Sequence, residues 1–223
     1  MRKWVEYSPG RMALACAGIA GAFCAGVEPA WASGTRAGTV INNVATASYE
    51  EGTATITVNS NTHSLKVDEL LDTVVTWQDP SDVAVPTPAT GKVLKFQVTN
   101  TGNGQEAFSL TDVANIGGDQ FDPAVSAIVI DNGNGVYDPG IDTLYVPGAN
   151  DPVLDPDQSV TVFLLSAIPA GLADGNRGAA RLTATARTGS GTPGTSFAGA
   201  GEGGGDAVVG TSGAHGQADG FFR

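Results

Sequence analysis

Residues 93–111 read VLKFQVTNTGNGQEAFSLT, and this stretch decides the fold. Apolar and polar residues alternate over 93–98 and again over 107–110, which is the period of a half-buried β-strand. The intervening Asn, Gly and Thr residues favour a tight turn. The stretch therefore predicts two consecutive strands joined by a short turn.

The same alternation recurs on both sides of this stretch. No segment has a sustained apolar stripe of helical period, so we expect little helix. Short strands separated by Pro, Gly, Asn and Asp are typical of a β-sandwich with Greek-key connections, an all-β fold. Residues 45–49 and 54–58 flank Glu50-Glu51-Gly52-Thr53 and predict a β hairpin. Further strands are predicted at residues 70–77, 127–130, 143–146, 160–165 and 181–187.

The first 32 residues have the pattern of a secretory signal peptide. Arg2, Lys3 and Arg11 precede or begin an apolar core over 12–27, and Ala30-Trp31-Ala32 offers a small-x-small cleavage site. We expect cleavage after Ala32 and a secreted or cell-surface protein. The apolar core is shorter than the roughly 20 residues of a membrane span, so no membrane span is expected in the mature chain.

Both cysteines, Cys16 and Cys24, belong to the leader, so the mature protein has no disulfide with which to stabilise itself. Without the leader's three basic and two acidic residues, 8 Lys and Arg face 21 Asp and Glu, a net charge of −13. Such a charge excludes nucleic acid as a partner bound by its phosphates.

Residues 131–142 read DNGNGVYDPGID and combine closely spaced oxygen side chains with glycine, as calcium loops do. We predict a Ca²⁺ site, with a backbone carbonyl near Tyr137 assisting. In the usual twelve-residue register, Ile130 falls on the first ligand position and the last carboxylate is one place late. An ordinary Asn/Asp/Gly turn is the alternative, and both interpretations remain open. The predicted ligands are Asp131, Asn132, Asn134, Asp138 and Asp142.

Three motifs resemble the conserved-repeat, immunoglobulin-like domains of unknown function of bacterial cell-surface and secreted proteins. They are GTVINNVATASY from Gly38, the stretch from Val93, and DNGNGVYDPGIDTLYVPG from Asp131. The second resembles the B strand, turn and C strand of such modules. The resemblance implies an immunoglobulin-like sandwich with a structural or adhesive role outside the cytoplasm, and no catalysis. It does not imply the calcium loop.

The domain organisation expected on this basis has four parts. A signal peptide over 1–32 precedes a β-hairpin segment over 33–67 and an immunoglobulin-like sandwich over 68–188. Residues 189–223 are rich in glycine and predict a tail or linker, with Phe221 and Phe222 resembling the start of a strand that is cut short.

Function is predicted to be structural, with other surface or matrix components, or the chain itself, as partners. The two histidines, His63 and His215, lie in no catalytic motif, so we expect no enzyme. One alternative is a carbohydrate-binding module that stacks sugars on Trp77, Tyr49, Tyr137 or Tyr145. Another is a subunit of a filament, in which residues 40–67 complete a neighbour's sheet.

Overall fold

The computed structural model describes residues 34–223, so the signal peptide expected over 1–32 and its cleavage site lie outside the described residues. Within 34–223 the regular structure is β-strand, apart from one 3-10 turn at Glu202–Gly204. No helix in this range is long and apolar enough to cross a membrane. The strands are β1 (Val40–Asn43), β2 (Thr46–Glu51), β3 (Ala54–Asn59), β4 (His63–Lys66), β5 (Glu69–Leu71), β6 (Thr73–Trp77), β7 (Ala89–Asn100), β8 (Glu106–Val113), β9 (Ala124–Ile130), β10 (Thr143–Leu144), β11 (Val153–Leu154), β12 (Ser159–Ile168), β13 (Gly178–Ala186), β14 (Ser196–Phe197), β15 (Ala207–Val209) and β16 (His215–Phe222).

Two antiparallel sheets form a sandwich. One has the strand order β10-β9-β12-β7-β6 and the other β11-β8-β13-β16. Taken in chain order, β6, β7, β9 and β12 occupy the A, B, D and E positions of the immunoglobulin fold, and β8, β13 and β16 the C, F and G positions. The all-β, immunoglobulin-like sandwich with Greek-key connections is therefore confirmed, as is the N-terminal hairpin.

Alternating residues of both sheets fill the core, as the period of two requires. On β7 the buried side chains are Leu94, Phe96 and Val98, and the next strand, β8, contributes Phe108 and Leu110. The strands predicted from residues 93–98 and 107–110 thus lie in opposite sheets and contribute to the same core. Further core residues come from β12, β13 and β16: Val162, Leu164, Ala180, Leu182, Ala184 and Phe222.

The C-terminal region corrects the predicted domain organisation. Residues 189–223 are not a tail, because β16 pairs antiparallel with β13 and completes the sandwich, with Phe222 fully buried. Its glycines are required by packing: a Cβ on Gly216 would lie 2.8 Å from the backbone N of Val75, and one on Gly220 2.8 Å from Cζ of Phe96. Glycines fit at these two positions because the backbone of β6 lies opposite Gly216 and the rings of Phe96 and Trp77 lie opposite Gly220.

A three-stranded sheet, β14-β15-β5, joins the C-terminal region to the start of the sandwich. The strands β15 and β5 are parallel, with Val208 opposite Leu70. Residues 69–71, expected to begin the sandwich, belong to this small sheet instead. The first sandwich strand is β6.

A long two-stranded ribbon, residues 40–66, precedes these sheets. Strands β1 and β4 pair at its base and β2 and β3 at its end, where Gly52 takes φ = 67° in the turn. The predicted strands at 45–49 and 54–58 match β2 and β3 closely. At the base, the Val67 N–H donates to the Thr39 carbonyl and the Lys66 ammonium to the Gly203 carbonyl, at 2.9 and 2.8 Å.

Candidate functional site

The aspartate loop, residues 131–142, follows β9 and lies against the outer face of the A-B-E-D sheet. Phe163 and Val129 are buried, yet they are not members of the main core cluster. The ring of Tyr137 packs edge-on against Phe163, with centroids 5.8 Å apart. The Lys95 ammonium donates to the Gly135 carbonyl at 2.7 Å. The loop therefore covers a small second apolar cluster outside the sandwich.

The loop's carboxylates organise its own backbone. An oxygen of Asp131 accepts the N–H groups of Gly133 and Gly135, at 3.0 and 2.9 Å. The two oxygens of Asp142 accept the N–H groups of Asn132 and Asp138, at 3.1 and 2.7 Å. These bonds hold both ends of the loop together.

The amides complete this network. The Asn132 side-chain oxygen accepts the Asn134 N–H, and the Asn134 amide donates to Asp138 Oδ2 at 2.6 Å. Four of the five predicted ligands, Asn132, Asn134, Asp138 and Asp142, are therefore linked in one hydrogen-bonded network, while Asp131 bonds separately to Gly133 and Gly135. Over residues 34–223, however, no group of three or more His, Cys, Asp or Glu side chains is close enough to hold a metal ion. Calcium binding stays a prediction, and an ion would have to compete with the N–H groups that these oxygens accept.

The turn between β7 and β8 is organised by two buried asparagines that the sequence analysis did not single out. The Asn100 amide donates to the carbonyls of Gly104 and Leu154 at 2.8 and 2.9 Å, and its oxygen accepts the Gly102 N–H at 2.9 Å. Asn103 accepts the Leu70 N–H at 2.6 Å and donates to the Asp68 carbonyl at 3.0 Å. The sequence signal that could have identified Asn100 is its place at the end of a predicted strand, just before a Gly-containing turn.

Two buried carboxylates lie beside this turn. Glu69 is 2% exposed and Glu106 4% exposed. Glu106 Oε1 accepts the backbone N–H groups of Ala107 and Arg187, and Glu69 Oε2 accepts that of Glu202. Glu69 Oε1 and Glu106 Oε2 have no hydrogen-bond partner in the described part of the chain. Burial raises the pKa of Glu69, the Glu202 N–H lowers it in part, and the nearby charges of Glu106 and Glu202 raise it further.

The sandwich edges are blocked at several points. On β8 the Phe108 N–H donates to the Pro152 carbonyl and the Leu110 N–H to the Tyr145 hydroxyl, both at 2.9 Å. At the opposite edge, the Val83 N–H donates to the Phe221 carbonyl of β16 at 2.8 Å. Such caps prevent a foreign strand from pairing with these positions.

The ribbon contrasts with these edges because its side chains are exposed. Its four strands are exposed almost throughout, with Ile56 half-buried. Tyr49 is 52% and Val58 49% exposed, and Ile41 and Leu65, which pair with each other at the base, are also exposed. The ribbon is thus an exposed apolar surface that is available for contact with another molecule. Val136, Ile141, Leu144 and Val146, in and just after the aspartate loop, are also exposed.

Three of the four aromatic residues predicted to stack on sugars, Tyr145, Tyr137 and Trp77, contact other parts of the protein. Tyr145 is buried, and its hydroxyl donates to Asp151 at 2.7 Å, which lowers the pKa of that carboxyl. Tyr137 packs on Phe163, and Trp77 packs against the core and edge-on to Phe221. Tyr49 is left as an exposed ring. His63 is exposed on β4 and His215 is exposed at the start of β16.

No protein-family model matches this chain. No curated protein matches it. Among solved structures, it is similar to the ASH / PapD-like domain of human CEP192 (PapD-like domain 7), at 13% identity over 67% of this chain and 84% of that chain, with a TM-score of 0.23. The assignment of the fold accordingly rests on the strand order of the chain itself.

Proposed function

We propose that the chain is an exported structural or adhesive β-sandwich module of a cell surface or extracellular matrix. The finer resemblance to the conserved-repeat, immunoglobulin-like domains of bacterial surface proteins belongs to this proposal. Its motif from Val93 coincides with the B strand, turn and C strand, and its motif from Gly38 coincides with the ribbon. The leader over residues 1–32 supports export.

The observation that carries the proposal is the ribbon. A sandwich with a closed core, and with edges blocked at several points, has little need of a projecting pair of strands for its own stability. Exposed apolar surface of this kind marks an interaction site in a soluble protein. The ribbon is therefore the part of the molecule that joins it to other surface or matrix components, or to itself. Calcium at the aspartate loop would stabilise the module without any reaction.

The experiment compares the exported chain with a variant whose ribbon is shortened. Residues 44–62 are replaced by Asn-Gly, so that Asn43 and His63, which already pair, are joined by a two-residue hairpin turn. We expect the natural chain in the cell-envelope or matrix fraction and the shortened chain in the free medium, with both sandwiches folded. Equal retention of the two chains, or recovery of the natural chain from the cytoplasm, would contradict the proposal.

A further inference from the structure

The outer half of the ribbon has two distinct faces. The pairs Ala47–Val58 and Tyr49–Ile56 lie on one face, and the pair Glu51–Ala54 extends this face to the turn. The alternate positions form the other face, where every side chain is polar: Thr46, Ser48, Glu50, Thr55, Thr57 and Asn59. A ribbon patterned in this way resembles half of a sandwich, with one face made for water and one for a covering layer.

The polar face is already complete. The Thr46 hydroxyl donates to Asn59 Oδ1 at 2.8 Å, and the hydroxyls of Ser48 and Thr57 are 2.9 Å apart. The Thr55 hydroxyl donates to Glu50 at 2.8 Å. The apolar face lacks an equivalent, since Tyr49 and Val58 are each about half exposed. An isolated two-stranded ribbon is marginally stable in water, so a covering layer would stabilise it.

The distribution of charge in the chain indicates which partner covers the apolar face of the ribbon. The whole chain has a net charge of −12, and residues 96–176 contain no Lys or Arg. Between Val40 and Leu65 the charged residues are Glu50 and Glu51, both beside the turn. Two copies of so acidic a molecule repel each other least where they meet through this nearly uncharged surface. A basic partner would instead be attracted to the acidic surface of the sandwich.

We propose, on the basis of the proposed function, that the ribbon is a self-association surface on which two copies stack their apolar faces. The contact is isologous, with the same residues on both copies. The ribbons run in opposite directions, so that the Glu50 and Glu51 pairs lie at opposite ends rather than together. Tyr49 of each copy packs on Ile56 and Val58 of the other, which forms a small four-stranded sandwich.

Sedimentation equilibrium of the exported chain, from low micromolar to near-millimolar concentration, tests the proposal. We expect a reversible monomer–dimer equilibrium. The double variant Tyr49→Thr/Val58→Thr keeps β-forming residues but removes the apolar contacts, and should raise the dissociation constant at least about tenfold. The matched control Ser48→Ala/Thr57→Ala changes neighbouring positions on the polar face and should leave the dissociation constant unchanged.

Cross-linking locates the contact. Because the exported chain without its leader contains no other cysteine, oxidised Ile56→Cys should form a covalent dimer, whereas Thr57→Cys, its neighbour on the opposite face, should not. A monomer at every concentration, or association that the double variant does not weaken, would overturn the proposal. If either of these results is found while the chain is still retained at the cell surface, self-association is refuted but the proposed function is not. Dimers without such retention would instead refute the proposed function.

Discussion

Asn100 supports the turn between β7 and β8 from inside the protein. One side chain satisfies two carbonyl groups and one N–H group, and it is 1% exposed. Buried backbone groups that lose their partner cost about 1–3 kcal/mol each. The side chain is therefore a structural part of the VTNTGN motif rather than a binding residue.

Asn100→Ala should lower the free energy of unfolding by about 3 kcal/mol or more, because three backbone groups lose their partner at once. Urea denaturation measures it. Exposed Asn42, with one side-chain hydrogen bond to Ser64, is the matched control, and Asn42→Ala should cost about 0.5 kcal/mol or less. Equal losses in the two variants would show that the turn does not depend on Asn100.

Glu69 should make the protein less stable as the pH rises. Its folded pKa lies above its ordinary value of about 4.5, so its stabilising contribution is present below that value and is lost as the pH rises through the folded pKa. Glu69→Gln keeps an oxygen to accept the Glu202 N–H and removes the charge beside Glu106. The variant should melt at a higher temperature than the natural chain near neutral pH, and the difference should disappear below about pH 4.5.

Thermal melts across this pH range provide the measurement for Glu69, and Glu51→Gln at the exposed ribbon turn is the control. Other charged groups lie close to Glu69, because Arg36 forms ion pairs with Asp155 and with Glu202, whose N–H Glu69 accepts. These ion pairs are present in both the Glu69→Gln and the Glu51→Gln protein, so their effect on the melting temperature is the same in both. A Glu69→Gln protein with the same pH dependence as the natural chain would rule out an effect of this carboxyl.

At the scale of the structural elements, the prediction to be tested is calcium binding by the aspartate loop. Ligand that binds the folded state alone at 100 times its dissociation constant adds about 2.7 kcal/mol of stability. We expect several millimolar calcium to raise the melting temperature above that in excess chelator, and magnesium to raise it less, because magnesium keeps its waters. Asp138→Ala should abolish the increase, while Asp174→Ala, outside the loop, should not.

The decisive comparison is the melting temperature of the natural chain in calcium against that in excess chelator. If calcium and chelator give the same value, the loop is an ordinary turn whose carboxylates serve the N–H groups of Gly133, Gly135 and Asp138. The packing of Tyr137 on Phe163 would then be its main contribution to the fold.

The elements were predictable where side chains alternate. The ribbon hairpin and the strands around residues 93–111 follow from that pattern, which reports burial on one face. Strand β16 was missed because its inward positions include Gly216 and Gly220, which carry no apolar side chain. Their role depends on Phe96 and Val75, far away in the chain, and no local pattern records it. The hydrogen bonds of Asn100 to Leu154 depend on the same kind of distant contact.

At the scale of the whole molecule, the two ends of the described chain should respond differently to deletion. Removing residues 215–223 takes away β16 and the buried Phe222, so the sandwich should fail to fold. Shortening the ribbon by replacing residues 44–62 should change the melting temperature little, because those residues contribute nothing to the main core. Circular dichroism and limited proteolysis distinguish the outcomes. A folded, protease-resistant sandwich without β16 would contradict this account.

The position of β16 also sets the order of events when the chain is made. A polypeptide that emerges from its amino end presents β6 and β7 early, whereas the partner that closes the opposite sheet arrives with the last nine residues of the sequence. The contacts of β16 with β6 and β7 join residues far apart in sequence, and such contacts form slowly, since the long loop between them must close first. The sandwich therefore cannot complete itself before residues 215–222 have been synthesised. If the chain is exported as proposed, its sandwich stays incomplete, and easier to pass through an export channel, at least until then.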